Sequence, residues 1–308
     1  MNYDNPPLII LAAGASSRMK KSLEALHSRQ DNTPSSVQSD FKNLSKLGIH
    51  KGLIPVDQNG KTAIDLIIDQ AKKAGLSRII LIIQPPGIIF KKHFEDQVKT
   101  AGSVSGSKTI DIGSVNIDFA FQHIPKGRKK PLGTADALQQ CLAQFPELLT
   151  QEFIVCNADN LYSSVAFQLL VDTPYPNALI GYRRQGLDFP MRKIRNFALL
   201  VTDREGCMKG LIEKPDEIVT KQLQEQGQEL IVSMNIWKFN GTDLQKGLTN
   251  CPIKKQRQEK ELPTAVQLMM TQHNIKLLVI PRTEHVPDLT QASDINELRS
   301  LFNTNPLD

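Results

Sequence analysis

Leu8-Ile9-Ile10-Leu11-Ala12-Ala13-Gly14-Ala15-Ser16-Ser17-Arg18-Met19 holds the first apolar run of the chain, and its reading decides the fold. A short apolar run that ends in a turn of small residues is the pattern of a strand buried on both faces that feeds a ligand-binding loop. Ala12, Ala13, Gly14 and Ala15 leave their backbone N–H groups open to an anion, and Arg18 adds a fixed fork of donors at the end of the loop. The loop is neither a G-x-x-x-x-G-K-[ST] phosphate loop nor a three-glycine dinucleotide fingerprint. Taken alone, it reads equally well as a tight strand-to-helix turn.

Outward from this strand, helical and strand patterns alternate. Ile64, Leu66, Ile67, Ile68 and Ala71 share a helical face that Gly75 stops, and Arg78 to Ile83 is a buried strand. Phe119 and Phe121 mark another strand. Helices follow near 134–145 and 165–171, and strands near 153–156 and 178–182. Beyond Asn196 the pattern becomes α+β: a hairpin turning at 203–206, a strand over 230–239, helices near 263–272 and 294–302, and a strand near 276–280. This order predicts an α/β fold with a Rossmann-like, mixed, mostly parallel sheet flanked by helices, and a small α+β subregion. Residues 1–308 read as a single domain. From about 20 to 50 the apolar period fades into Ser, Gln, Asn and Lys, which reads as a polar loop insertion and a candidate lid.

Composition narrows the class. The chain is 40% hydrophobic and 22% charged over 308 residues, an ordinary globular balance. No apolar run approaches the roughly 20 residues that span a bilayer, so no membrane partner is expected. The polar start, Met1 to Pro7, lacks a basic region followed by an apolar stretch, and the expected location is cytoplasmic. Cys141, Cys156, Cys207 and Cys251 are far apart, with neither zinc-site nor disulfide spacing, and read as buried thiols. The net charge of +5 is modest, and the basic cluster Lys126, Arg128, Lys129, Lys130 reads as solvated surface or a small-anion site, so no nucleic-acid partner is expected.

Four further segments carry chemistry: Lys51-Gly52-Leu53-Ile54-Pro55-Val56, Pro131-Leu132-Gly133-Thr134-Ala135, Asn157-Ala158-Asp159-Asn160 and Glu213-Lys214-Pro215. With the first loop, their order resembles the sugar-phosphate nucleotidylyltransferase family, whose pattern runs L-A-A-G-x-G-x-R, K-x-L-x-P-V, G-T-A, G-D-N and E-K-P. The resemblance spans roughly Leu8 to Ile295. It implies transfer of a nucleotidyl group from a nucleoside triphosphate to a sugar 1-phosphate with release of pyrophosphate, assisted by Mg2+, and is compatible with a homo-oligomer. It implies that Ala12, Ala13, Gly14, Ala15, Gln122, Gly133 and Thr134 bind the nucleotide. Arg18, Lys51 and Asp159 are then catalytic, Asp159 and Asp288 hold the metal, and Glu213, Lys214 and Asn235 bind the acceptor in the α+β subregion.

Each assignment has a plainer structural alternative. Asp159 could cap the next helix, Glu213 and Lys214 could be surface charges after a strand, and Asp294 reads as the start of the last helix rather than a ligand. Two departures from the pattern stand out: the polar insertion separates Arg18 from Lys51, where the family usually has a short stretch, and glycines are replaced, by Ser16 and Ser17 in the first loop and by Asn157-Ala158 before the aspartate. An alcohol phosphate such as phosphocholine is the alternative acceptor, and an inactive nucleotide-sugar-binding regulatory subunit is the alternative function. Retention of both aspartates argues against the latter.

Overall fold

The computed structural model describes residues 5–28, 50–57, 59–101, 110–112 and 114–304. Strand β1 (Leu8–Leu11) lies at the centre, with β2 (Arg78–Ile83) on one side and β5 (Glu152–Asn157) on the other, both parallel to it. Leu8 stands level with Ile79 and Ile154. The sheet continues through β4 (Val115–Phe121) to the antiparallel edge strand β3 (Ile110–Ile112). On the other side β9 (Ile231–Asn240) runs antiparallel to β5 and to β6 (Ala178–Arg183), and β10 (Leu278–Arg282) closes the edge parallel to β6. The order is β10-β6-β9-β5-β1-β2-β4-β3, with the hairpin β7 (Leu199–Thr202) and β8 (Met208–Ile212) attached to β9.

The two faces of the sheet follow from the two-residue period of a strand. Ile9, Ile80 and Val155 pack with Leu138, Leu244 and Val266 of helices α4 (Thr134–Gln144), α8 (Gly241–Thr249) and α9 (Leu262–His273). Leu8, Ile10, Leu81 and Ile154 pack with Ile67, Phe167 and Ile295 of α2 (Ala63–Lys73), α5 (Ser164–Asp172) and α10 (Ala292–Thr304). Each fully buried aliphatic side chain of this kind contributes on the order of 1.5–3 kcal/mol. The helices start where capping residues allow. Thr62 and Asp65 form a reciprocal capping box on α2, and Ser163 caps α5.

Among the described residues the helices differ from the sequence expectation at α8, which was not read from the pattern, and at four others. The polar segment begins as helix, because α1 (Ser17–Ser28) continues past Lys20; residues 29–49, where most of the expected insertion and lid falls, lie outside the described residues. Helix α3 (Ile88–Ala101) was not read from the pattern, since of its described side chains only Phe90, Phe94 and Val98 turn inward from a row of charged neighbours. The short α6 (Met191–Ile194) and the exposed α7 (Glu217–Glu225), neither of them read from the pattern, complete the chain. All four cysteines are free and buried, as expected. Among the described residues no helix is long and apolar enough to cross a membrane.

Strand β9 changes partner along its length. Ile231 and Val232 pair with β7, whereas Ile236 to Asn240 pair with β5. Between them Asn235 adopts φ +59°, a left-handed conformation that asparagine tolerates better than most residues, and the register against β6 shifts. The sheet forks there. One branch carries β5 and the other the β7–β8 hairpin, with Asn235 at the junction.

Candidate active site

Ligands bind open α/β sheets at the carboxyl ends of the parallel strands, and three segments converge there. The first is the loop after β1. Ala12 donates its N–H to the Ile82 carbonyl at 2.9 Å, and Gln84 Nε2 donates to the Ala13 carbonyl at 2.6 Å, so the backbone is fixed from the β2 side. Gly14 is exposed. Ser16, at the second glycine position of the family pattern, takes φ +51°, so the turn keeps the geometry for which glycine is usually needed. Arg18 stands exposed in the first turn of α1.

The second segment is the 3-10 turn Lys51–Leu53. His50 caps it through Nδ1, which accepts from the Gly52 N–H at 3.1 Å. Burial, with help from the Lys51 and Lys20 ammoniums, pushes the His50 imidazole down to about 3, so it stays neutral and keeps an acceptor for this cap. The Lys51 N–H reaches Ser16 Oγ at 3.3 Å, and a Cβ on Gly52 would lie 3.1 Å from the Ala158 carbonyl. The turn is thus wedged between the first loop and the segment after β5.

That third segment presents Asp159, whose carboxylate pairs with Lys51 Nζ. Asp159 does not cap the following helix, since Ser163 does, so the plainer structural reading of this aspartate fails. Its backbone is stapled to the segment carrying Asp288. The Leu289 N–H donates to the Asp159 carbonyl at 2.7 Å, and the Leu161 N–H donates to the Pro287 carbonyl at 2.9 Å. Two aspartate-bearing segments from distant parts of the chain are therefore held side by side by their backbones, with Asn160 opposite Asp288. Asp288 accepts from Thr290 Oγ1 and lies 3.2 Å from Lys193 Nζ. Asp294 instead accepts the N–H groups of Thr290 and Gln291 at the start of α10, as its sequence context suggested. Tyr162, fully buried, donates to the Met234 carbonyl at 2.7 Å and ties the Asp159 segment to the fork at Asn235.

Of the remaining expected residues, Gln122, Gly133, Thr134 and Glu213 are held by contacts among themselves and with residues 254–262. Gln122 is buried, and its amide nitrogen donates to the Gly133 carbonyl and to Asp136 at 2.9 and 2.8 Å. Gly133 has φ +110°, and a Cβ on it would stand 2.4 Å from the Lys260 carbonyl, so the loop at 259–260 already accounts for this glycine. Thr134 Oγ1 accepts from the Leu262 N–H at 2.9 Å. Glu213 is not free: Lys254 Nζ sits 2.7 Å from it and 2.7 Å from the buried Glu261. Lys214 is exposed with φ +47°. One loop, 251–261, thereby links the Gly133 turn to the Glu213 end of β8.

A sequence model of the nucleotidyl transferases matches residues 43–306, most of the chain. The chain belongs to the nucleotidyl transferase family. The match begins after the first loop, so in this nucleotidyl transferase the loop is supported by its own motif and by its place beside Lys51 and Asp159. The crystal structure of a UDP-glucose pyrophosphorylase complexed with UDP-glucose shares the fold at a TM-score of 0.65 and 13% identity, covering 97% of this chain and 99% of that one. No curated protein matches by sequence.

Three residues that contact the candidate site segments were not read from the sequence: His50, Lys193 and Lys254. Histidine is not among the usual capping residues, Lys193 sits in a four-residue helix, and Lys254 lies in a run of surface charges. None carried a local signal. A grouping of three metal-capable side chains among the described residues, Asp203, Glu205 and Cys207, lies at the β7–β8 turn. There Asp203 Oδ1 is occupied by the N–H groups of Glu205 and Cys207, both at 2.9 Å.

Proposed function

We propose that this nucleotidyl transferase joins a nucleoside triphosphate to a sugar 1-phosphate and releases pyrophosphate. The observation that carries the reading is the stapled pair Asp159 and Asp288, with Lys51 on Asp159, beside the exposed Gly14 loop. A phosphate monoester has a second pKa of about 6, so near neutrality the acceptor oxygen is already anionic and needs no strong base. What the site must supply is positive charge and alignment.

The acceptor oxygen attacks the α-phosphorus, and the bond between that phosphorus and the oxygen bridging to the β-phosphorus breaks. The electron pair leaves with pyrophosphate. The N–H groups of the Gly14 loop and the Arg18 guanidinium hold the departing phosphates, and Lys51 neutralises charge on the transferred phosphoryl group. Gln122, Gly133 and Thr134 border the base. Lys214 binds the acceptor phosphate, and Glu213 and Asn235 its hydroxyls. Asp159 and Asp288 would hold Mg2+, whose preference for carboxylate, phosphate and water oxygens suits two protein ligands; bound there, it would neutralise charge on the phosphates.

The test is pyrophosphate release over a matrix of nucleoside triphosphates and sugar 1-phosphates with Mg2+, including phosphocholine as acceptor. One sugar 1-phosphate should turn over, and Asp159→Asn should lower kcat at least 100-fold, a typical consequence of losing a charge-stabilising group. Turnover of phosphocholine alone would replace the acceptor class. Full activity in Asp159→Asn would remove the metal assignment.

A further inference from the structure

Lys193 belongs to none of the motifs, yet its ammonium stands on one of the two candidate metal carboxylates. Nζ lies 3.2 Å from Asp288 Oδ2 and 3.9 Å from Asp294 Oδ1. It also sits 4.2 Å from the centroid of the Phe189 ring, whose face attracts a cation and keeps the side chain from turning out to solvent.

An ammonium and a divalent cation repel each other and compete for a carboxylate oxygen, on Asp288 as on Asp159, where Lys51 makes the same kind of contact. Lys193 therefore has to leave Asp288 before that oxygen can bind metal. It has somewhere to go, because Asp294 is buried, is fixed by the backbone N–H groups of Thr290 and Gln291, and is already within reach of Nζ. A second seat makes the displacement small in distance and modest in cost. A triphosphate favours it further, since its negative charge accommodates both the metal and the nearby ammonium.

We propose that Lys193 is a built-in counter-ion that competes with the divalent cation for Asp288, so that free metal binds weakly and enters with the nucleoside triphosphate. The proposal rests on the reading of Asp288 as a metal carboxylate given above. It makes Lys193 a positioning residue rather than one that touches the reacting atoms. Its signature is metal affinity in the absence of substrate.

The experiment titrates Mn2+ alone into the protein and follows the free ion by electron paramagnetic resonance. The set comprises the native protein, Lys193→Met, Lys193→Gln, Lys193→Arg and Asp288→Asn, with thermal midpoints recorded for each. Both neutral variants should bind Mn2+ about fivefold more tightly or better, the scale expected for removing a partly buried competing ion pair. Lys193→Arg should stay near the native value, and adding UTP should shrink the gap between native and neutral variants. If the neutral variants bind as the native protein does while Asp288→Asn binds more weakly, the counter-ion role falls and the metal reading of Asp288 stands. If Asp288→Asn binds Mn2+ as well as the native protein, the metal reading falls and takes the counter-ion role with it.

Discussion

Replacing Gly14 by alanine separates the two readings of the first loop. A Cβ at this position meets nothing within 4 Å, and the backbone is not in the left-handed region. The folded state should lose nothing, while the unfolded chain loses some freedom, so stability should be unchanged or rise by about 0.4–1 kcal/mol. Phosphate oxygens, by contrast, must approach a backbone N–H to about 2.9 Å, and a methyl group on the open side of the loop stands in that path. Losing one charge-assisted hydrogen bond costs roughly 1.5–3 kcal/mol, which is about 10- to 150-fold in affinity. The assay pairs a thermal melt with calorimetric titration of the nucleoside triphosphate. Gly14→Ala should melt at or slightly above the native temperature and bind the nucleotide at least tenfold more weakly. Equal nucleotide affinity in a protein of unchanged stability would refute the cradle and leave the loop as a turn.

Gly133→Ala should behave in the opposite way: φ +110° and an approach of 2.4 Å to the Lys260 carbonyl predict a loss of about 3 kcal/mol, visible as a lower urea midpoint. Lys254→Met leaves the buried Glu261 with Arg257 at 2.8 Å and without its second cation, so a loss of about 1–2 kcal/mol is expected in the same assay. The His50 effect has a defined sign. Its folded value near 3 lies below the unfolded value of about 6.5, so its contribution is complete above pH 6.5 and is lost as pH falls from there towards 3. The slope attributable to it is at most about 1.4 kcal/mol per pH unit. Urea unfolding at pH 7 and pH 5 should show the native protein losing about 1–2 kcal/mol more than His50→Gln; equal losses would contradict the depressed value.

The parallel half of the fold was readable because buried strands declare themselves as continuous Val, Ile and Leu runs, and β1, β2 and β5 are such runs. Two of the helices that went unread have little to bury, whereas α8, also unread, buries Leu244 and Leu248 within only nine residues. Helix α7 has no buried residue and rests on its Asp216 cap, and α3 buries one narrow stripe. Candidate site residues carried by short motifs were legible as a pair: Lys51 and Asp159 each sit in one and meet each other. Lys193 and Lys254 act through partners distant in sequence, Asp288 and Glu213, and no window of neighbouring residues contains those pairings. Gly133 shows the converse, since its motif suggested a ligand while its geometry already answers to a loop more than a hundred residues away.

The staple between the two aspartate segments is built from main-chain atoms, the N–H groups of Leu161 and Leu289 and the carbonyls of Pro287 and Asp159. Substituting either aspartate therefore changes the chemistry of the segments while the bonds that set their spacing remain. Those two N–H groups are also natural reporters, because each can exchange its hydrogen with solvent only when the staple opens. Deuterium uptake at Leu161 and Leu289 would then time how long the two backbone segments stay joined, and slowing of that exchange on adding nucleotide would register assembly of the site without any turnover being measured.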